Sequence, residues 1–273
     1  MKESNKSKKL KSYIPFLLGI IAIIGVWYIL AYILKSQENY GIPYPHDTFV
    51  LSLKMLFSKD PEGIYSASST WTGIGYTLLR LTIGYSISFV LGGILGTLSA
   101  LYKPLGSFFR PSVGLFKTIP TVGVTMILFS LTLAIDHKYL GWIPIFLVIV
   151  VAFPLLFEAF KAGIENEEKE VLDALNLETG IRSPYAVFGV LLPDAFPYIR
   201  LGMAQTIGLS FKVLIMSEVL TSSNKTLGLG SLIAQSRSQT YDGGLTEIPA
   251  YVLIALSLMA IIDIPYLFIK RKR

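Results

Sequence analysis

The sequence predicts an all-α membrane protein with six transmembrane helices. Both termini are expected in the cytoplasm, with a helical cytoplasmic loop between the fourth and fifth spans. Three observations carry this prediction. Just over half of the 273 residues are apolar and only 15% are charged, well under the quarter usual for soluble domains. Several apolar runs reach the roughly 20 residues that a helix needs to cross a ~30 Å hydrocarbon core. The basic residues behind the net charge of +6 gather at the two termini, a placement that suits orientation in a membrane better than nucleic-acid binding. With no cysteine in the chain, disulfide staples, thiolate metal sites and cysteine nucleophiles are excluded.

Lys2, Lys6, Lys8, Lys9 and Lys11 precede an apolar run from Ile14 to Leu34. The run is too long for a signal peptide, and no clear small-residue cleavage site follows; it is the first span. Residues 1–42 therefore group as a basic tail, a first helix and the start of an outer loop, and residues 43–273 as a core with five further spans. Residues 37–72 are polar and hold Pro43, Pro45 and Pro61. Within them, the apolar spacing over Asp47 to Phe57 predicts a short helix on the membrane surface.

The second span is the uncharged run Leu81 to Tyr102. Its Gly92-x-x-x-Gly96 spacing puts two small residues on one helix face, allowing close approach of a neighbour; the general abundance of glycine in membrane helices is the alternative reading. Lys103 and Arg110 mark a short loop. The third span covers Val113 to Ile135, with Pro120 able to kink it. Asp136-His137-Lys138 forms a turn, and Tyr139 to Phe157 is the fourth span. Leu201 to Leu220 makes the fifth, Thr221 to Glu247 a second outer loop, and Ile248 to Ile269 the sixth, before the terminal Lys270-Arg271-Lys272-Arg273. With both ends inside, fifteen Lys and Arg fall on inner segments and six on outer ones, as the positive-inside rule requires.

Between the fourth and fifth spans lies a polar stretch from Phe157 to Leu201, carrying Glu165, Glu167, Glu168, Glu170, Asp173 and Glu178. Asn166 to Thr179 is a helix-forming mixture, with Val171, Leu172, Leu175 and Leu177 as its apolar face. Gly180 can end that helix, and Pro184 can begin a second over Tyr185 to Leu192. Leu192-Pro193 and Pro197 are then expected to turn the chain back to the membrane. Two short helices at about a right angle form a knob suited to a groove on another protein.

Gly180, nine intervening residues, Val190 and Leu192-Pro193 resemble the cytoplasmic-loop signature of ABC-importer permeases. That signature reads Glu-Ala-Ala, three residues, Gly, nine residues, Ile or Val, one residue, Leu-Pro. Phe116-Lys117-Thr118-Ile119-Pro120, Leu192-Pro193-Asp194-Ala195-Phe196-Pro197 and Ser217-Glu218-Val219-Leu220 are similar to the branch that imports sulfonates, taurine, nitrate and thiamine precursors. The likeness extends from about Pro43 to the C-terminus. At its start the match departs: Ala174-Leu175-Asn176 occupies the Glu-Ala-Ala register, with Asp173-Ala174 as an acidic-small pair displaced by one. Glu158-Ala159 with Gly163 mimics the motif at the wrong distance from Leu192-Pro193.

The resemblance implies a translocation subunit of the inner cytoplasmic membrane, not an enzyme. Two permease copies would form the pathway as a homodimer, two separate ATPase subunits would grip loop 158–200, and an extracytoplasmic binding protein would deliver a small anionic or polar organic solute. Asp173, Ala174, Gly180, Ser183, Pro184, Leu192 and Pro193 would serve the ATPase contact. ATP and Mg²⁺ would sit on the partner, with no cofactor on this chain; the sequence carries no G-x-x-x-x-G-K-[ST] phosphate loop.

Lys212 lies mid-span, where a charge costs at least about 2.5 kcal/mol. Either it faces the pathway and attracts an anion, or it pairs with Glu218 or another helix and only fixes packing, although six residues to Glu218 is a poor intrahelical spacing. Arg80 reads as an interfacial arginine that snorkels, and Lys117 as similarly interfacial. Asp263, one to two turns from the basic tail, reads as a pairing or inner-cavity residue and not a substrate contact. His46 and His137, without cysteine, supply no metal cluster. Leu227-Gly228-Leu229-Gly230-Ser231 reads as a flexible turn into a short helix, Ser231 to Ser238. Two other functions stay in view: an intramembrane lipid-modifying enzyme, which would need clustered polar groups at one depth, and a membrane scaffold without an ATPase partner.

Overall fold

The computed structural model describes residues 3–36, 42–58, 66–223, 226–238 and 247–269, and every regular element among them is helical. Lys2, Lys59, Lys225 and the terminal Lys270–Arg273, all part of the charge-bias expectation, lie outside the described residues. Five helical stretches are long and apolar enough to cross a membrane, and a bent pair makes a sixth if it counts as one span. The chain divides into two compact units, Met1–Thr70 with Gln235–Leu256, and Trp71–Ala234 with Ser257–Arg273.

In the first unit, α1 (Glu3–Ser36) carries the first span and α2 (Pro45–Phe57) is the expected short helix. Pro45 at its first turn needs no N–H partner, and Asp47 sits where the helix dipole favours a carboxylate. The two are joined by aromatics. Trp27 Nε1 donates to the Pro43 carbonyl at 3.0 Å, Tyr28 shares a hydrogen bond of 3.0 Å with His46 Nδ1, and Tyr44 stacks on His46 with centroids 5.5 Å apart.

The second unit is built on three long helices. α3 (Ala67–Leu101) begins in the first unit and runs into the second. α4 (Lys103–Thr118) and α5 (Thr121–Ile135) follow, then a 3₁₀ turn and α6 (Ile143–Glu165). α7 (Lys169–Glu178) lies in the polar stretch; α8 (Pro184–Ala186) leads through one π-helical turn into α9 (Leu192–Leu220). α10 (Leu229–Ser238) and α11 (Glu247–Ile269) complete the chain, the former close to the expected helix over Ser231 to Ser238.

Small residues set the packing. A Cβ on Gly84 would lie 2.8 Å from Val148, one on Gly92 2.9 Å from the Phe157 nitrogen, and one on Gly96 2.5 Å from the Phe157 carbonyl oxygen. Every fourth residue of α3 over this stretch is thus Gly or Ser, since Ser88 between them is buried and donates to the Gly84 carbonyl at 2.7 Å. The Gly92-x-x-x-Gly96 face is therefore a contact with α6 and not a by-product of glycine abundance. α6 meets α9 in the same way: Gly163 has no room for a Cβ beside Ala195, nor Gly202 beside Ala159. The Ala159 and Gly163 that mimicked the loop motif are packing residues.

Five expectations are corrected. Lys103 and Arg110 do not form a loop but belong to α4, and the third span is not one kinked helix: α4 and α5 meet at 85°. Pro120 lacks an N–H and forces Ile119 into extended backbone, φ −62 and ψ 122, so the helix breaks outright. The fourth span does not end at Phe157, because α6 stays helical to Glu165.

Leu192-Pro193 and Pro197 do not turn the chain, nor does Tyr185 to Leu192 form a separate short helix. Pro184–Leu220 is one helical stretch of 37 residues. The π turn over Val187–Leu191 resolves the conflict. Leu192 N–H reaches back five residues to the Val187 carbonyl, and the wide turn accommodates the ring of Pro193, which has no N–H to donate.

Gly96→Ala is expected to cost about 1–3 kcal/mol by forcing α3 from α6, read as a lower midpoint of thermal unfolding in detergent. Gly114→Ala, where a Cβ meets nothing within 4 Å, should leave that midpoint unchanged.

Candidate functional site

The acidic loop is short and firmly tied. α7 starts after Glu168 and ends where Gly180 takes φ +79, with the Gly180 and Thr179 N–H groups both donating to the Leu175 carbonyl, at 2.8 and 3.1 Å. This left-handed position is the one a glycine fills without strain. Ser183 N–H then donates to the Gly180 carbonyl at 3.0 Å, and the Ser183 hydroxyl accepts from Ala186 N–H at 3.1 Å, capping the helix that Pro184 opens. The helix stop and start expected at Gly180 and Pro184 are thus where the chain reverses.

The loop is seated on the ends of α6 and α9. Leu175 is buried with Phe160, Ile164, Ala186, Val187, Leu191, Ala195 and Ile199, and Val171 and Leu172 pack against that cluster. Leu177, expected on the same face, is 89% exposed. It shares the outward side of α7 with Asp173 and Ala174, both exposed. Leu192 is half-buried and Pro193 exposed within the continuing helix, so they lie beyond the Gly180–Ser183 turn and not in it.

A second constellation was missed from sequence. Glu218, 1% exposed, is held by three donors. Arg80 Nη1 donates to Oε1 at 2.6 Å; Thr77 Oγ1 and the Gly230 N–H donate to Oε2 at 2.8 and 3.0 Å. Arg80 also donates to the Leu227 carbonyl, and Leu229 N–H donates to Thr77 Oγ1 at 2.8 Å. Arg80 is itself only 8% exposed. The snorkelling expected of Arg80 is therefore overturned, as is the pairing of Glu218 with Lys212.

The Leu227–Ser231 segment is also not a loose turn. Gly228 adopts φ +157, and a Cβ there would lie 2.6 Å from the Glu218 carboxyl carbon; one on Gly230 would meet Glu218 Cβ at 2.6 Å. Its two glycines let the backbone close over the carboxylate. A signal existed: Arg80 is the lone charge of α3, and Glu218 has no cation at helical spacing on α9.

Lys212 sits on the exposed side of α9, with Gln205 and Leu209, while Thr206, Ser210, Val213, Leu214 and Ser217 are buried on the other. It has no ion-pair partner among the described residues. Lys117 pairs with Glu158 across α4 and α6, and Asp136 caps the 3₁₀ turn by accepting from Lys138 N–H at 2.9 Å. Asp263 is half-buried in α11. Among the described residues, no three His, Asp or Glu side chains converge in a way that could hold a metal ion.

Residues 88–272 match the family described as binding-protein-dependent transport system inner membrane component. The chain is 22% identical over 247 residues to the nitrate import permease NrtB of Synechococcus elongatus, covering 89% of this chain and 83% of that protein. It is 24% identical to the bicarbonate transport permease CmpB of the same species, covering 86% and 81%. To the putative aliphatic sulfonates transport permease SsuC of Bacillus subtilis it is 28% identical, covering 60% and 57%.

Arg80→Ala would leave Glu218 buried and unpaired, with an expected cost of about 3–5 kcal/mol, measured by thermal unfolding and yield in detergent. Replacing both residues by methionine should recover much of that loss.

Proposed function

Because the chain belongs to the family of binding-protein-dependent transport inner membrane components, it is a multi-pass permease of an ABC importer, and we propose that it conducts a small anion past Lys212. The carrying observation is the place of Lys212: a mid-span cation without an ion-pair partner among the described residues, on the α9 face that does not pack on α6. A charge at that depth needs water, a counter-ion or a passing anion to offset its desolvation. Gln205, about two turns away on the same face, adds a neutral hydrogen-bonding group. The nitrate, bicarbonate and sulfonate named for the relatives are small anions that such a pair would suit.

Two copies would place their α9 faces opposite each other around the pathway, with both termini and the α7 loop in the cytoplasm. A separate ATPase pair would engage the outward side of α7 at Asp173, Ala174 and Leu177, carrying the ATP and Mg²⁺, and an outer binding protein would hand over the anion. The loop is a lever because it does not end at a joint. The Gly180–Ser183 turn leads directly into a helical stretch of 37 residues, roughly 55 Å at 1.5 Å per residue, which also bears Lys212 and Glu218. A push at α7 is carried along that rod to the pathway and to the Glu218 network.

Lys212→Gln, reconstituted with its ATPase and binding-protein partners, should lower anion uptake by tenfold or more while the subunits still co-purify; unchanged uptake would refute the pathway role. Gly180→Val, which no φ of +79 accommodates, should weaken ATPase co-purification or uncouple hydrolysis from uptake. An ATPase that binds and couples normally to that variant would remove the lever.

A further inference from the structure

The second unit contains a cavity of about 510 Å³ that lies apart from the α7 face proposed to engage the ATPase. It lies between the end of α3 and the start of the α8–α9 helix, with Phe160 of α6 among its walls. The size falls in the ~300–1,000 Å³ range of ligand pockets. Its walls are mostly hydrocarbon, with Ile94 and Leu98 from α3 and Val187 from the π turn, and Thr97 as a polar exception. One end is different in kind. There Arg182 lies with its guanidinium 4.6 Å from the Tyr102 ring centroid, and it has no ion-pair partner among the described residues. The helix capped by Ser183 begins beside it, directing its positive end to the same place.

An apolar slot flanked by two candidate spans, with a cation at the end where those spans leave the apolar region, is complementary to one class of molecule. We propose that this groove binds an anionic phospholipid, its acyl chain against Ile94, Leu98 and Val187 and its phosphate against Arg182. Water has few polar partners along such walls, whereas a lipid tail matches them, and basic pockets between spans attract acidic headgroups. The assignment to the inner leaflet rests on the cytoplasmic placement of the α7 loop proposed above. The lipid would wedge between α3 and the residues that follow Gly180, so its presence would stiffen the base of the lever.

The full-length chain, purified in mild detergent with equal amounts of phosphatidylglycerol and phosphatidylcholine of identical acyl chains, can be weighed intact by native mass spectrometry. Phosphatidylglycerol should be retained preferentially. Arg182→Gln should cut its retention about fivefold, the scale of one basic side chain at a lipid surface, and Arg182→Lys should keep the preference. Ile94→Trp, which fills the groove, should lower retention of both lipids. Equal retention of the two lipids by the wild-type chain, or no change with Arg182→Gln, overturns the proposal. So does displacement by soluble glycerol phosphate, which would mean a free-anion site. Arg182 is an exposed loop residue, so its substitution does not endanger folding. Retention is read without transport, so it can fail while uptake and coupling stand, or hold while they fail.

Discussion

A buried carboxylate with nowhere to send its charge is the constraint around which the second unit closes. Glu218 sits in an apolar span and is almost wholly inaccessible. At that depth an isolated anion is prohibitively unfavourable, and a half-satisfied one is worse than an apolar residue. Both its oxygens are therefore occupied, by Arg80 and Thr77 of α3 and the Gly230 backbone. Satisfying the charge requires α3, α9 and the first turn of α10 to meet at one point. Gly228 and Gly230 are small because a Cβ at either would collide with Glu218.

Lys212 shows what the same requirement leaves undone. It lies six residues from Glu218 on the same helix, and yet has no ion-pair partner among the described residues. One charge is consumed by structure and the other remains available to a mobile counter-ion. That contrast, more than the presence of a mid-span lysine, supports the pathway role proposed for Lys212.

The continuity of α8 and α9 supports the lever role proposed for the acidic loop. A turn at Leu192-Pro193 would have isolated the loop as a hinged knob. Instead the π turn absorbs the proline, and Leu175 packs the loop onto the cluster at the base of α6 and α9. Close glycine and alanine contacts also join α6 to α9, which supports the lever proposed for the loop.

Sequence alone determined what depends on neighbours along the chain. Apolar runs of bilayer length, the left-handed stop at Gly180, the helix start at Pro184 and the small face of Gly92 and Gly96 are all properties of a few adjacent residues or one helical period. Tertiary structure alone decided the rest. Arg80 and Glu218 are 138 residues apart, and no local spacing links them. The break at Pro120 and the continuation through Pro193 begin from the same missing N–H and end oppositely. In one case the helix parts at 85°; in the other, packing of Val187 and Leu191 holds a widened turn in place. Proline states that a hydrogen bond is lost, but only the surroundings determine whether the chain bends or bridges the gap.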